Sequence, residues 1–462
     1  MKISILGAGP GGYVAAIRAA QLGAAVTVIE SDEVGGTCLN WGCIPTKVFT
    51  TSSELLAKTR KLADYGIELQ HDIYVNLGKI IERKNRVVQN QVKGIRNLFK
   101  SWGISLVEGR GTITSPREIT FISKSGSSEK ILSDNIIIAT GSKPFELPGY
   151  PFNEKTILSS DHALELTEVP QRLVIIGGGV IGCEFASIYR ELGSEVTVIE
   201  LLPDIISTED ESISIQLKKE FKKRKITVYT ATKVENITFK NNCLSLFLSN
   251  GKEITTDKIL VAVGRALNSQ DIGLEDVGIE TGQHNQVIVN EFLETTCPGI
   301  FAVGDVTGGI MLAHVASREG EIAAHNILGA DEAIDYSAVP NVIFTMPEIA
   351  SVGMSEKQAI ESALNIKTGY FQFRALGKAH IIGEIEGFVK IVAEKKSDRI
   401  LGMHIIGPHA SDLIHEGTLA IRNSLTIKQM AETIHAHPTL SESIREASED
   451  IFGRAVHKPK AQ

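Results

Sequence analysis

Cysteine is scarce in this chain: Cys38, Cys43, Cys183, Cys243 and Cys297 are all there is among 462 residues. So few sulfurs cannot staple a disulfide-dense secreted scaffold, which points to a reducing compartment, the cytoplasm or an organelle matrix. Positive charge is also short. Lys and Arg number 47 against 55 Asp and Glu, for a net charge of −8, and this argues against nucleic acid or an anionic membrane as the main partner. No apolar run approaches the roughly 18 uninterrupted residues that would span a bilayer. The apolar start, residues 3–17, is broken by Gly7, Gly9, Gly11 and Gly12 and leads to no A-x-A cleavage site, unlike a secretory signal. What the chain does have is length and apolar content. Hydrophobic residues make up 43% of it, enough for several packed cores in domains of about 150 residues each.

Residues 3–6 read as a short buried strand, followed by Gly7-Ala8-Gly9-Pro10-Gly11-Gly12 and a helix over residues 13–22. Gly7 permits a tight turn, Gly9 lets a pyrophosphate approach the backbone and Gly12 allows close helix packing, with the phosphates at the helix N-terminus. The next strand ends at Glu30, whose carboxylate can accept both hydroxyls of an adenosine ribose. The device recurs at residues 173–176, with Gly177-Gly178-Gly179-Val180-Ile181-Gly182, a helix and a strand ending at Glu200. Glu30 follows Gly7 by 23 residues and Glu200 follows Gly177 by 23. One such motif alone is a surface glycine turn as readily as a nucleotide site, but two with the same acidic offset imply two bound dinucleotides. Glu200 would repel a 2′-phosphate, and Leu201, Leu202 and Pro203 supply no arginine to hold one, so the second nucleotide is expected to be NAD and not NADP.

Between the first turn and the rest lies Gly35-Gly36-Thr37-Cys38-Leu39-Asn40-Trp41-Gly42-Cys43-Ile44-Pro45-Thr46-Lys47. Two sulfurs beside a redox cofactor suggest electron transfer through a disulfide. Five positions of separation put two side chains off a common helical stripe, so the segment must distort to bring the sulfurs to about 2.05 Å. Gly42 and Pro45 can assist. A zinc site is the alternative, yet zinc wants four ligands and no second cysteine pair or nearby histidine is visible.

On these residues the chain resembles the flavoprotein pyridine-nucleotide disulfide oxidoreductases over nearly its whole length. Within them it is most similar to the members that oxidise protein-bound dihydrolipoamide. The resemblance implies an α/β fold, with two Rossmann-like dinucleotide-binding domains and a C-terminal α+β dimerisation domain. The expected boundaries are 1–148 with 270–338 for FAD, 149–269 for NAD and 339–462 for the interface. It implies that Gly7, Gly9, Gly12 and Glu30 hold FAD, that Cys43 faces the flavin and that Cys38 exchanges with substrate. Lys47 would lie near the flavin and pair with Glu184, close to the nicotinamide, while Gly177, Gly179, Gly182, Glu200 and Gly264 belong to the NAD site. Thr140 and Gly141, Asp305 in Thr295-Thr296-Cys297-Pro298-Gly299-Ile300-Phe301-Ala302-Val303-Gly304-Asp305, and Ala313 in Met311-Leu312-Ala313-His314 resemble further FAD segments. Asp305 alone would read as a helix N-cap. His314 is expected to pack and not to move protons. Leu267 departs from the family's usual proline, which should loosen a turn, while Arg265 beside it still fits.

The C-terminal string His435-Ala436-His437-Pro438-Thr439-Leu440-Ser441-Glu442 resembles the family's active-site signature. Its His437 would be the acid/base, oriented by Glu442, with His435 the less favoured rival. Only a thiolate attacks a disulfide, so a base with pKa near roughly 6.5 is useful to a dithiol that is mostly protonated near pH 7. The family places this histidine on the other subunit, implying a homodimer. Its implied partners are the lipoyl domains and acyltransferase subunit of 2-oxo acid dehydrogenase complexes, or the lipoyl protein of glycine cleavage. A glutathione or mercuric reductase remains the rival within the fold. Glu200 opposes the NADP preference of the first, and the tail from Val456 to Gln462 lacks the cysteine pair of the second. From about Pro340 the pattern turns to strands over 342–345, 387–394 and 400–406 with a helix from Ser355. Lys218 to Lys225, and Lys79, Arg83, Lys84, Arg86 and Lys93, read as solvated helix faces.

Overall fold

The computed structural model describes residues 1–240 and 243–459; Lys460, Ala461 and Gln462 at the end of the tail lie outside them. A seven-stranded sheet forms the first unit. Its order is Ile300–Ala302, Asn135–Ile138, Lys2–Leu6, Ala25–Glu30, Ser105–Ser115, Glu118–Ser123 and Ser128–Leu132. The first five strands run parallel and the last two continue as an antiparallel meander. Near-continuous Ile and Val in the central strands follow from helices covering both faces of a parallel sheet.

A second, all-parallel sheet runs Thr227–Tyr229, Glu195–Ile199, Arg172–Ile176, Lys258–Val261 and Ile157–Leu158. Its registers repeat those of the first: Leu6 faces Ile29 and Ile176 faces Ile199. The C-terminal unit is an antiparallel sheet ordered Asn341–Ile343, Glu348–Gly353, Ile400–Gly407, Phe388–Glu394 and Ile366–Gln372. The expected strand over 342–345 thus stops at Ile343, leaving Phe344 and Thr345 beyond the ladder. One apolar core runs through Phe49, Phe185, Ile343 and Phe388, and so fuses the helix after the cysteines to the second and third units.

Two expectations fail here. Lys84 is not on a solvated face: it is 2% exposed, donates to the Leu164 carbonyl at 3.2 Å and pairs with Glu165. Leu267 is not in a turn. It closes strand Arg265–Leu267, which pairs antiparallel with Ser142–Pro144. Opposite Ser142 it holds a non-hydrogen-bonded position, beside the Asn268 N–H that donates to the Gly141 carbonyl at 2.9 Å, so the ladder does not call on its N–H and accepts leucine as readily as proline. No described helix is long and apolar enough to cross a membrane.

Candidate active site

The two glycine turns are built alike to the level of single hydrogen bonds. Gly7 takes φ +103 and Gly177 φ +108, and each donates its N–H to the end of the neighbouring strand, Ile29 or Ile199, at 2.8 Å. A Cβ on either would meet the carbonyl of Ala139 at 2.3 Å or of Ala262 at 2.2 Å. Gly12 and Gly182 press their helices so close that a Cβ would lie 2.0 Å from the carbonyl oxygens of Gly7 and Gly177. By contrast, a Cβ on Gly9 or Gly179 would meet no atom closer than 3.9 Å. Those glycines are not demanded by packing, so the space in front of them is what a pyrophosphate would use. Each caps its helix, Pro10–Gln21 or Val180–Leu192, without a side-chain cap, leaving the terminal N–H groups for an anion.

Glu30 accepts the N–H of Ala8 at 2.7 Å and of Asp32 at 2.8 Å; Glu200 accepts those of Gly178 at 2.5 Å and Leu202 at 2.7 Å. Both carboxylates are buried, and burial pushes the Glu30 carboxyl up against the pull of its backbone donors. Thr140 Oγ1 is buried beside the first turn with no partner, an orphan that a bound cofactor would satisfy. Asn268 ties Thr140 and Gly141 through their carbonyls at 3.0 and 2.9 Å. Asp305 sits in the 3-10 turn Gly304–Thr307, where Val303 holds the N-cap position. Its carboxylate accepts the Ser142 hydroxyl, with the Arg265 Nε 3.7 Å away. Ala313 begins helix Ala313–Ile327, and His314 meets the Pro340 carbonyl at 2.9 Å. Gly264 takes φ +136, with open space around it. The residues present therefore fit FAD at the first turn and NAD at the second.

The cysteine segment distorts as its spacing requires. Helix Gly36–Asn40 stops at Trp41, Gly42 takes φ −125 and ψ −111, and a new helix, Cys43–Thr59, starts at the second sulfur. Cys38 is half-buried, Cys43 exposed, and both thiols are free. The neighbouring Cys38 thiol is the main reason the Cys43 thiol is lowered to about 7; desolvation of the sulfur opposes this and the Lys47 ammonium, one helical turn on, adds to it. The Cys43 sulfur beside it, with burial, drives the Cys38 thiol far up. Cys43 is thus the group that ionises first.

Lys47 Nζ contacts both oxygens of Glu184 at 2.9 Å and lies 4.6 Å from the Phe344 ring centroid. The Phe344 N–H also donates to Glu184 at 2.9 Å. Nothing in the spacing of the sequence announces Phe344; its contribution is a backbone N–H placed from 160 residues away. At the C-terminus, His437 Nδ1 lies 2.9 Å from Glu442 Oε1, whose Oε2 accepts the Thr439 N–H at 3.0 Å. Burial raises the Glu442 carboxyl, but Thr439 and His437 outweigh it and hold it low. His435 is engaged elsewhere, with Glu416 at 2.8 Å and the Thr433 carbonyl at 2.9 Å. Among the described residues no hydrogen bond or ion pair joins His437 to the sulfurs, and its side chain is 77% exposed.

Comparison with known proteins agrees with this geometry. Residues 1–320 match the family model described as pyridine nucleotide-disulphide oxidoreductase, and residues 339–448 match the dimerisation domain of the same family. The chain is 43% identical to dihydrolipoyl dehydrogenase of Chlamydia muridarum, over 98% of this chain and 97% of that one. It is 42% identical to dihydrolipoyl dehydrogenase of Bacillus subtilis, over 98% of each. Among solved structures, LpdA from Mycobacterium tuberculosis superposes with a TM-score of 0.92 at 30% identity, covering 98% of this chain and 99% of that one.

Proposed function

The chain belongs to the pyridine nucleotide-disulphide oxidoreductases, and from that membership we propose that it oxidises protein-bound dihydrolipoamide to lipoamide and reduces NAD. Its cofactors are FAD and NAD. The observation that supports the reading is the Cys38–Cys43 thiol pair, set between a dinucleotide turn and the Lys47–Glu184 ion pair. Within it, residues 1–148 with 270–338 bind FAD, 149–269 bind NAD and 339–462 form the subunit interface.

The partner subunit's His437, held by Glu442, takes a proton from one substrate thiol. The resulting thiolate attacks Cys38 Sγ of the oxidised enzyme; the Cys38–Cys43 bond breaks and Cys43 leaves as thiolate beside Lys47. The second substrate thiol then attacks the substrate sulfur of the mixed disulfide, closing lipoamide and releasing Cys38, which takes up a proton. When bound, FAD supplies the two-electron carrier between the dithiol and the nicotinamide. Exposure of His437 and of Ile434, which is 94% exposed, supports completion of each site by a second copy. Lipoyl domains and an acyltransferase subunit, or the lipoyl protein of glycine cleavage, are the proposed partners.

The test is a steady-state comparison of lipoamide, oxidised glutathione and mercuric ion as oxidants, with NADH and NADPH as reductants. Lipoamide with NADH should dominate. Preference for glutathione with NADPH would overturn the substrate while leaving the fold intact.

A further inference from the structure

One buried carboxylate has no part in that scheme. Glu319, on helix Ala313–Ile327, is 2% exposed. Its Oε2 accepts the Gly304 N–H at 2.6 Å and its Oε1 accepts the Tyr336 O–H at 2.7 Å. A carboxylate this deep persists only if its oxygens find donors, and these two supply them. Gly304 takes φ +74 and opens the turn that carries Asp305, so Glu319 holds the residue immediately before the carboxylate assigned to FAD. From the other side Ser142 and Arg265 hold Asp305 itself. Tyr336 stands in the connector between this helix and strand Asn341–Ile343, and His314 of the same helix grips that connector again at the Pro340 carbonyl. Just past the strand comes Phe344, whose N–H is on Glu184.

We propose that Glu319 and Tyr336 are positioning residues for FAD, a latch with a buried carboxylate and a tyrosine at the surface that fixes the Gly304–Asp305 turn and ties it to the connector into the C-terminal domain. Cofactor retention is then set in part by a tyrosine hydroxyl whose hydrogen bond goes to Glu319. The inference rests on the assignment of Asp305 to FAD, and its test separates the two.

FAD release from the holoprotein is followed by the rise of flavin fluorescence on dilution, and melting temperatures are taken for apo- and holoprotein, in Tyr336→Phe, Glu319→Gln, Glu319→Leu and Asp305→Ala. Tyr336→Phe keeps the packing and removes one donor to a charged group, so release should quicken about tenfold. Glu319→Leu should be faster still. Glu319→Gln should stay near the parent, because its carboxamide oxygen can accept from Gly304 and its NH₂ can donate to the tyrosine oxygen. The gain in melting temperature on adding FAD should shrink in the order of the release rates. If Asp305→Ala sheds FAD while Tyr336→Phe and Glu319→Leu release it at the parent rate, the latch falls and the cofactor assignment stands. Equal losses of apo and holo stability at an unchanged release rate would also overturn the latch. If Asp305→Ala itself retains FAD, both fall.

Discussion

Lys47 and Glu184 form a two-pronged ion pair, Nζ 2.9 Å from each carboxylate oxygen, with the Glu184 side chain only 6% exposed. It is the charge setting for Cys43, one turn before Lys47 on the same helix. The Cys38 thiol lowers the Cys43 thiol most, Lys47 lowers it further and Glu184 raises it. Removing each partner should therefore move the thiol in opposite directions. In a pH titration of ultraviolet thiolate absorbance on the reduced protein, with Cys43→Ser as blank, the parent midpoint should be about 7. Lys47→Met should carry it up, and Glu184→Gln should bring it down. Equal midpoints in the two variants would refute the electrostatic account.

The His437 imidazole has its Nδ1 on Glu442 and is otherwise open. Glu442→Gln keeps the contact's shape but removes the carboxylate that orients the ring through Nδ1, so lipoamide turnover should fall about 10- to 100-fold, against roughly 1000-fold for His437→Ala. His435, already committed to Glu416, should tolerate change far better. Turnover rates of purified holoenzymes decide it: a His437→Ala enzyme at parent rate leaves the proton transfer without its base.

Stability should respond to pH through Asp210, the N-cap of helix Glu211–Lys223, which Lys390 of the C-terminal sheet contacts at 2.7 and 2.9 Å. Burial acts to raise the Asp210 carboxyl, but Lys390 and Ser212 outweigh it and hold it well below the usual carboxylate range. A depressed carboxyl contributes stability that is full above its unfolded value, near about 3.9, and lost as pH falls through the folded one. Lys390→Met strands a charge that is 2% exposed and should cost about 3–5 kcal/mol near neutral pH. The deficit should narrow as pH drops below about 4. Urea melts at several pH values test this, and a deficit constant with pH would mean that packing and not charge is responsible.

The two dinucleotide turns were legible because strand, glycines and carboxylate are local in sequence, and one spacing repeated twice produced one geometry twice. The helix break between Cys38 and Cys43 was legible for the same reason: five residues cannot join two sulfurs along an unbroken helix. What the sequence concealed lies in contacts between distant segments. Phe344 acts through a backbone N–H, which any residue carries. Lys84 read as surface because lysine is usually exposed, and only the folded chain places Glu165 opposite it; the pairing of Lys390 with Asp210, 180 residues away, left no mark in the sequence at all. Leu267 looked like a turn residue until its pairing with Ser142 placed it in a ladder.

Gly179 and Gly182, three residues apart in one turn, should separate binding from folding. A Cβ on Gly182 would stand 2.0 Å from the Gly177 carbonyl oxygen, a backbone atom that cannot swing aside. Gly182→Ala should therefore force helix Val180–Leu192 off its strand and cost about 1–3 kcal/mol, seen as a lower melting temperature with or without NAD. Gly179 has φ −76, open to any residue, and nothing within 4 Å of a Cβ. Gly179→Ala should leave the melting temperature of the FAD-loaded protein unchanged. The methyl would nonetheless occupy the space through which a pyrophosphate approaches the helix N-terminus, so the KM for NAD should rise at least about tenfold while kcat changes little. Equal effects of the two substitutions on melting temperature would show that Gly179 serves the fold; an unchanged KM would place the nucleotide elsewhere.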